Sequence, residues 1–204
     1  AYAYNSWIKG SSDAGFGYSV PSDKLVEAWQ KRYETQNDLR YLYSIVWDGE
    51  RLVDYHDKNG NLVQDIVVAA PVVDGITGKA RFNKKVYIPR DERCDYKKDW
   101  YLTQIEQNQR LFRFADILLI DAEAKLRTGN EGGALLSINR VRQRAGEEEL
   151  ESLTLQQIWD ERRFEFVFEN DRYFDLVRTG EAKTVLAYKN WKFPKNVFYP
   201  IPQD

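Results

Sequence analysis

The sequence predicts a mainly α protein in which TPR-like αα-hairpin helices join a loop-rich lobe with small β-hairpins. Three observations carry that prediction. From residue 109 onward, apolar residues recur at spacings of three and four, the period of a helix with one buried face. Glycines stand where those runs stop, at Gly129, Gly146 and Gly180, as helix C-termini favour. Before residue 109 the period shortens to two in places, and turn residues break the chain into short pieces.

The first twenty residues read as an aromatic, glycine-rich loop: Tyr2, Tyr4, Trp7, Gly10, Gly15, Phe16, Gly17 and Tyr18. Pro21 and Ser22 then open a helix. Ser22 is a suitable N-cap, and Val26, Trp29 and Tyr33 share one face. Across residues 40–69 the pattern turns strand-like, with Tyr41, Tyr43, Ile45 and Trp47 alternating with Leu42, Ser44 and Val46. Asp48-Gly49 and Asn59-Gly60 suit two-residue hairpin turns, so a small β meander is expected. Residues 70–108 are mixed and polar, with Trp100 and Tyr101 near their end.

The helical region begins with Leu111, Ala115, Leu118, Leu119, Ala122 and Leu126, followed by Gly129. A second helix carries Ala134, Ile138, Val141 and Ala145, followed by Gly146. The connection Thr128-Gly129-Asn130 is so short that the two must pack antiparallel. Thr154 and Gln157 form a capping-box pair for a third helix with Leu155, Ile158, Trp159 and Phe166 on its apolar side, and Gly180 closes a short fourth. Each well-buried Leu or Ile contributes about 1.5–3 kcal/mol, enough for these stripes to hold a bundle together. The αα-hairpin resembles a TPR unit in architecture, but no second copy is visible. Residues 1–108 form the loop-rich lobe with one short helix and the β meander. Residues 109–204 form the helical region. Both are expected to be parts of one larger domain.

Composition narrows the function. Hydrophobic residues at 43% and charged residues at 30% suit a globular chain rather than a disordered one. Thirty basic against thirty-two acidic residues leave a net charge of −2, without the basic excess of a nucleic-acid binder. No 18-residue apolar run and no signal peptide is visible. There is no methionine, so a processed or partial form of a longer chain is expected. Cys94 is alone, which rules out an intrachain disulfide. His56 is also alone, which leaves little room for a histidine-based zinc site or a nucleophilic triad. No metal and no cofactor is expected.

The densest charge cluster is Glu161-Arg162-Arg163-Phe164-Glu165, continued by Glu169, Arg172, Asp175 and Arg178. Glu161, Glu165 and Glu169 stack one turn apart on a helix, and two carboxylates could serve as acid and base on a glycoside. The neighbouring arginines argue against it, because they lower a carboxyl pKa and make a poor proton donor. An ion-pair network between helices is the reading we favour, with no catalytic residue. Asp74-Gly75-Ile76-Thr77-Gly78-Lys79 lacks the first glycine of a phosphate loop, which would fall at Val73. Asp57-Lys58-Asn59-Gly60-Asn61 has its glycine too early for a calcium loop and no closing glutamate.

Aromatics make up 14% of the chain, and several lie outside any helical stripe: Tyr4, Trp7, Phe16, Tyr18 and Trp47. A flat ring matches the apolar face of a pyranose, so these residues are a candidate ligand platform. The alternative is that they pack over the hairpins as a satellite core.

The helical region resembles the SusD/RagB family. Arg113-Phe114-Ala115-Asp116-Ile117-Leu118-Leu119 with Ala122-Glu123-Ala124 is similar to its R-Y/F-A-D/E-hydrophobic-L-L…A-E-A segment. Ala134, Ile138-Asn139-Arg140-Val141-Arg142 and Arg144-Ala145-Gly146 are similar to its A…I-N-x-V-R-x-R-A-G helix. Ile158 through Glu169, then Arg172 and Phe174-Asp175-Leu176-Val177-Arg178, are similar to its I…E-R-R-x-E-F…E…R-x-F-D-L-V-R block. Tyr199-Pro200-Ile201-Pro202 is similar to its near-terminal P-I-P. A weaker match covers Pro21-Ser22, Leu25-Val26, Ala28, Asp38 and Arg40.

The resemblance implies an αα-superhelix of TPR-like pairs with an irregular lobe. It implies an outer-membrane lipoprotein on the cell surface that captures glycan without catalysis and delivers it to a SusC-type TonB-dependent transporter. Some members serve peptides instead. The family's lipid-bearing N-terminal cysteine and its N-terminal helical half have no counterpart among these residues. Contact with the membrane is therefore expected only through a lipid anchor absent from this chain.

Overall fold

The computed structural model describes residues 21–47, 50, 55–56, 59–63, 81–85 and 111–198 of the chain. The described residues are mainly helical. Helix α1 (Asp23–Gln36) starts where Ser22 Oγ accepts the Leu25 N–H at 3.3 Å, and Asp23 in its first turn complements the helix dipole. Asn37 ends it in the left-handed conformation, φ 58°. Val26 and Trp29 are buried, and Tyr33 stacks on Tyr41 with ring centroids 5.7 Å apart.

The strand expected from Tyr41 to Trp47 begins only at Ile45. Arg40–Ser44 is a short helix, α2. Its cause is Asp38, which is fully buried. The Asp38 carbonyl accepts the Tyr41 N–H at 3.2 Å and its carboxylate the Arg40 N–H at 3.1 Å, so the chain turns helically there. A strand would put Tyr41 and Tyr43 on one face; the helix sends them to opposite sides, and they are 8% and 71% exposed.

Strand β1 (Ile45–Trp47) is followed by β2 (Tyr55–His56), β3 (Leu62–Val63) and β4 (Arg81–Asn83). The expected meander is replaced by two separate antiparallel pairs. β1 joins β4, with Val46 opposite Phe82, and β2 joins β3, with His56 opposite Leu62. The second register makes the reversal around Asn59-Gly60 wider than a two-residue turn, although Gly60 does adopt φ 81°. Asp48-Gly49 lies outside the described residues. β4 is drawn to β1 because buried Arg81 donates to the Pro21 carbonyl at 2.9 Å and pairs with Asp23, while the Lys84 N–H reaches the Ser44 carbonyl at 2.9 Å.

Helices α3 (Phe114–Arg127) and α4 (Glu131–Ala145) form the expected antiparallel hairpin. Gly129 at φ 83° reverses the chain, and the Asn130 side chain caps α4 by accepting the Gly133 N–H at 2.9 Å. α3 starts later than the periodicity suggested: Leu111 precedes it and is 78% exposed. Helix α5 (Leu155–Glu165) has the full capping box of Thr154 and Gln157. Helix α6 (Arg172–Thr179) ends at Gly180 with φ 80°. Helix α7 (Ala182–Val185) and a 3₁₀ turn, Ala187–Lys189, follow.

α5 lies between two apolar cores. Ile158, with Phe166 just past its end, packs with Ala115, Leu119, Ala122, Ala134, Ile138 and Val141 of the hairpin. Phe164 and Val167 pack with Val26, Trp29, Tyr41 and Ile45. The end of α4 is tied to the segment between α1 and α2. The Leu39 N–H reaches the Ala145 carbonyl at 2.9 Å and Asn37 Nδ2 the Gly146 carbonyl at 3.0 Å. Gly146 sits at φ 84°, and a Cβ there would lie 2.8 Å from Leu39 Cδ1 and 3.2 Å from the Asn37 carbonyl. Gly146→Ala should therefore cost about 1–3 kcal/mol, combining the left-handed strain with the clash, measurable as a lower urea midpoint. An unchanged midpoint would mean this junction yields freely.

Candidate functional site

Glu161 and Glu165 of α5 stand in the middle of an ion-pair network with Glu169, which lies beyond the end of the helix at Glu165 and so does not stack on it as expected. Glu161 is fully buried and accepts from Arg32 Nη2, from Arg40 Nη1 at 2.7 Å and from Arg142 Nη1 at 3.3 Å. Glu165 accepts from Arg40 Nη1 at 3.0 Å, from Arg113 Nη1 at 2.7 Å and from Arg144 Nη2. Glu169 pairs with Arg113 Nε at 2.7 Å and with Lys85. Two further acids complete it. Glu147 accepts from Arg32 Nε at 2.6 Å and Arg40 Nη2 at 2.9 Å, and Asp38 from Arg40 Nε at 2.7 Å and Trp29 Nε1 at 3.0 Å. The charges come from α1, α2, the end of α4, α5 and the segment after β4, so the network joins elements far apart in sequence.

Its electrostatics oppose acid–base catalysis. Burial alone would raise the Glu165 carboxyl; the charges of Arg40, Arg113 and Arg144 outweigh it and hold the pKa below the usual carboxylate value. A general acid must keep its proton at working pH and reach its substrate. Glu165 does neither, and Glu161 is sealed beneath three guanidinium groups.

A second network lies on the other side of α5. Arg162 pairs with Asp116 at 2.7 Å and Asp175 at 2.9 Å, while Arg178 pairs with Asp175 at 2.7 Å and Glu123 at 2.8 Å. The guanidinium groups of Arg113 and Arg162 lie 4.9 and 5.0 Å from the Phe166 ring.

The candidate aromatic platform is only partly in view. Tyr4, Trp7, Phe16 and Tyr18 lie outside the described residues. Trp47 ends β1, is half-buried and packs against the core of Val26, Trp29 and Tyr41. A cleft of about 350 Å³ opens beside the first network between Gln36, Arg142, Glu148, Gln157 and Asp160. It is polar, and among the described residues no aromatic ring lines it. Periodicity did not point to Arg32, Glu147 or Lys85. Arg32 lies on a helix face read only for its apolar residues, and Glu147 stands in a run of three glutamates that look alike in sequence.

The family model described as the SusD family matches residues 30–204. The chain belongs to the SusD family. SusD-like protein P25 of Formosa agariphila is 34% identical over 111 residues, 47% of this chain and 21% of that protein. Among solved structures, a laminarin-binding SusD-like protein superposes with a TM-score of 0.67 at 25% identity, covering 93% of this chain and 36% of the other. Surface glycan-binding protein A from Bacteroides thetaiotaomicron, in complex with laminarihexaose, gives 0.60 at 26% identity, covering 90% and 38%. The chain thus spans little more than a third of those structures' length and about a fifth of that curated relative's.

Most of the charged residues that carried the SusD resemblance stand in these two networks. Arg113, Arg142, Arg144, Glu161 and Glu165 belong to the first cluster, and Asp116, Glu123, Arg162, Asp175 and Arg178 to the second. In this SusD chain these paired motif residues hold helices together.

Proposed function

We propose that this chain is part of a cell-surface, outer-membrane protein that captures extracellular glycan without cleaving it and passes it to a SusC-type TonB-dependent transporter. The observation that carries the reading is the shared fold with a surface glycan-binding protein in complex with laminarihexaose, at a TM-score of 0.60 over 90% of this chain. The sealed carboxylates of α5 support the non-catalytic half. The stacking groups we assign are Tyr4, Trp7, Phe16 and Tyr18, with Trp47 contributing through whichever edge of its ring stays uncovered.

Isothermal titration against laminarin oligosaccharides and a panel of other glycans tests this. Binding is expected without release of new reducing ends, and Trp7→Ala should weaken it roughly tenfold or more at an unchanged melting temperature. Binding to peptides with none to any glycan would replace glycan by peptide capture. Release of reducing ends would overturn the non-catalytic reading.

A further inference from the structure

Residues 182–203 contain Lys183, Lys189, Lys192 and Lys195 and no aspartate or glutamate, within a chain whose net charge is −2. The same stretch exposes rings: Tyr188 is 67%, Phe193 75% and Phe198 73% exposed. Lys24, from the first turn of α1, adds a fifth ammonium, its Nζ lying 5.2 Å from the Tyr188 ring, with Lys189 Nζ 5.5 Å from the same ring. Among the described residues none of these five lysines has a carboxylate within 4.0 Å, whereas Lys84, Lys85 and Lys125 are all paired. Tyr173 donates to the Asn196 carbonyl, and the Lys192 N–H reaches Asn196 Oδ1 at 2.7 Å, so α6 and local bonds hold the segment in place.

Isolated exposed rings are ordinary, but the exposed Tyr188 ring flanked by two ammonium groups that have no carboxylate partner among the described residues suits an anion with a flat apolar face. We propose that Tyr188 with Lys24 and Lys189, together with the neighbouring lysine-bearing turn of Lys192 and Lys195, binds an anionic polysaccharide, with uronate carboxylates or sulfate esters on the lysines and a sugar face on Tyr188. The proposal rests on the glycan capture argued above and adds to it a second, anion-specific surface.

The test measures binding of the full chain to polygalacturonate, dextran sulfate, laminarin and phosphatidylglycerol vesicles, with melting temperatures recorded for every variant. Lys192→Glu/Lys195→Glu should weaken polyanion binding about tenfold and leave laminarin binding unchanged. Tyr188→Ala, which keeps the charge, should weaken polyanion binding at least about threefold, and added salt should weaken it further. If laminarin binds and the charge reversal changes nothing, glycan capture stands and this inference falls. If no glycan of either kind binds, both fall. Polyanion binding indifferent to the ring variant would reduce the face to an ion exchanger. Vesicle binding lost on charge reversal, with no polyanion bound, would make it a lipid-contacting surface. Either result overturns the proposal.

Discussion

Glu161→Gln should lower the melting temperature by about 6–20 °C. The substitution keeps the shape of the side chain and removes its charge, leaving Arg32, Arg40 and Arg142 around a neutral amide. Truncating one partner of a buried ion pair costs about 3–5 kcal/mol, because the desolvation of the remaining charges is no longer repaid. For a chain of this size each kcal/mol moves the midpoint by about 2–4 °C. Thermal unfolding followed by circular dichroism reads the effect, with Glu151→Gln as an exposed control expected within about 0.5 kcal/mol of the parent. A midpoint within about 1 °C of the parent would show that water reaches Glu161 and that the network is not sealed. Loss of stability does not mean the network makes the protein more stable than an apolar replacement of equal shape would. Its demonstrable contribution is to fix which elements meet.

Trp29→Ala should cost a further class of interaction, about 3–5 kcal/mol of large-to-small core loss. The Trp29 ring is fully buried between α1 and α5, with its centroid 5.7 Å from Phe164 and 6.2 Å from Tyr41, and its Nε1 bonded to Asp38. That single side chain touches both the apolar core of the loop-rich lobe and the carboxylate that turns α2. Residues 1–108 and 109–204 are proposed to behave as one unit, and the variant probes it. Urea unfolding followed by tryptophan fluorescence and by helical dichroism should move together to a lower midpoint. Separated transitions, with the α3–α4 hairpin retaining its parent midpoint, would mean that the two regions fold independently.

Much of the helical region was legible from local signals because each was self-contained. The capping box of Thr154 and Gln157, the glycines at 129, 146 and 180, and the stripe from Ala115 to Val141 all act over a turn or two of backbone. The loop-rich lobe misled the reading for the opposite reason. Tyr41 and Tyr43 alternate with smaller residues as a strand would. A buried Asp38 and the pull of Trp29 on Tyr41 wind the segment into α2 instead. The partner of β1 was not the next segment but β4, selected by Arg81 reaching back to Pro21 and Asp23.

The candidate surfaces divide in the same way. The absence of acid from residues 182–203 is plain in the sequence, yet nothing local shows that Tyr188, Phe193 and Phe198 stay exposed or that Lys24 reaches the Tyr188 ring from α1. Sequence alone determined helices α1, α3, α4, α5 and α6, the caps at Ser22 and Thr154 and the SusD motif blocks, because periodicity and capping depend on neighbours along the chain. Only the tertiary structure decided that the motif charges are buried pairs. Desolvation and pairing depend on Arg32, Arg40 and Glu147 arriving from elsewhere in the chain, and no short window of sequence contains that meeting.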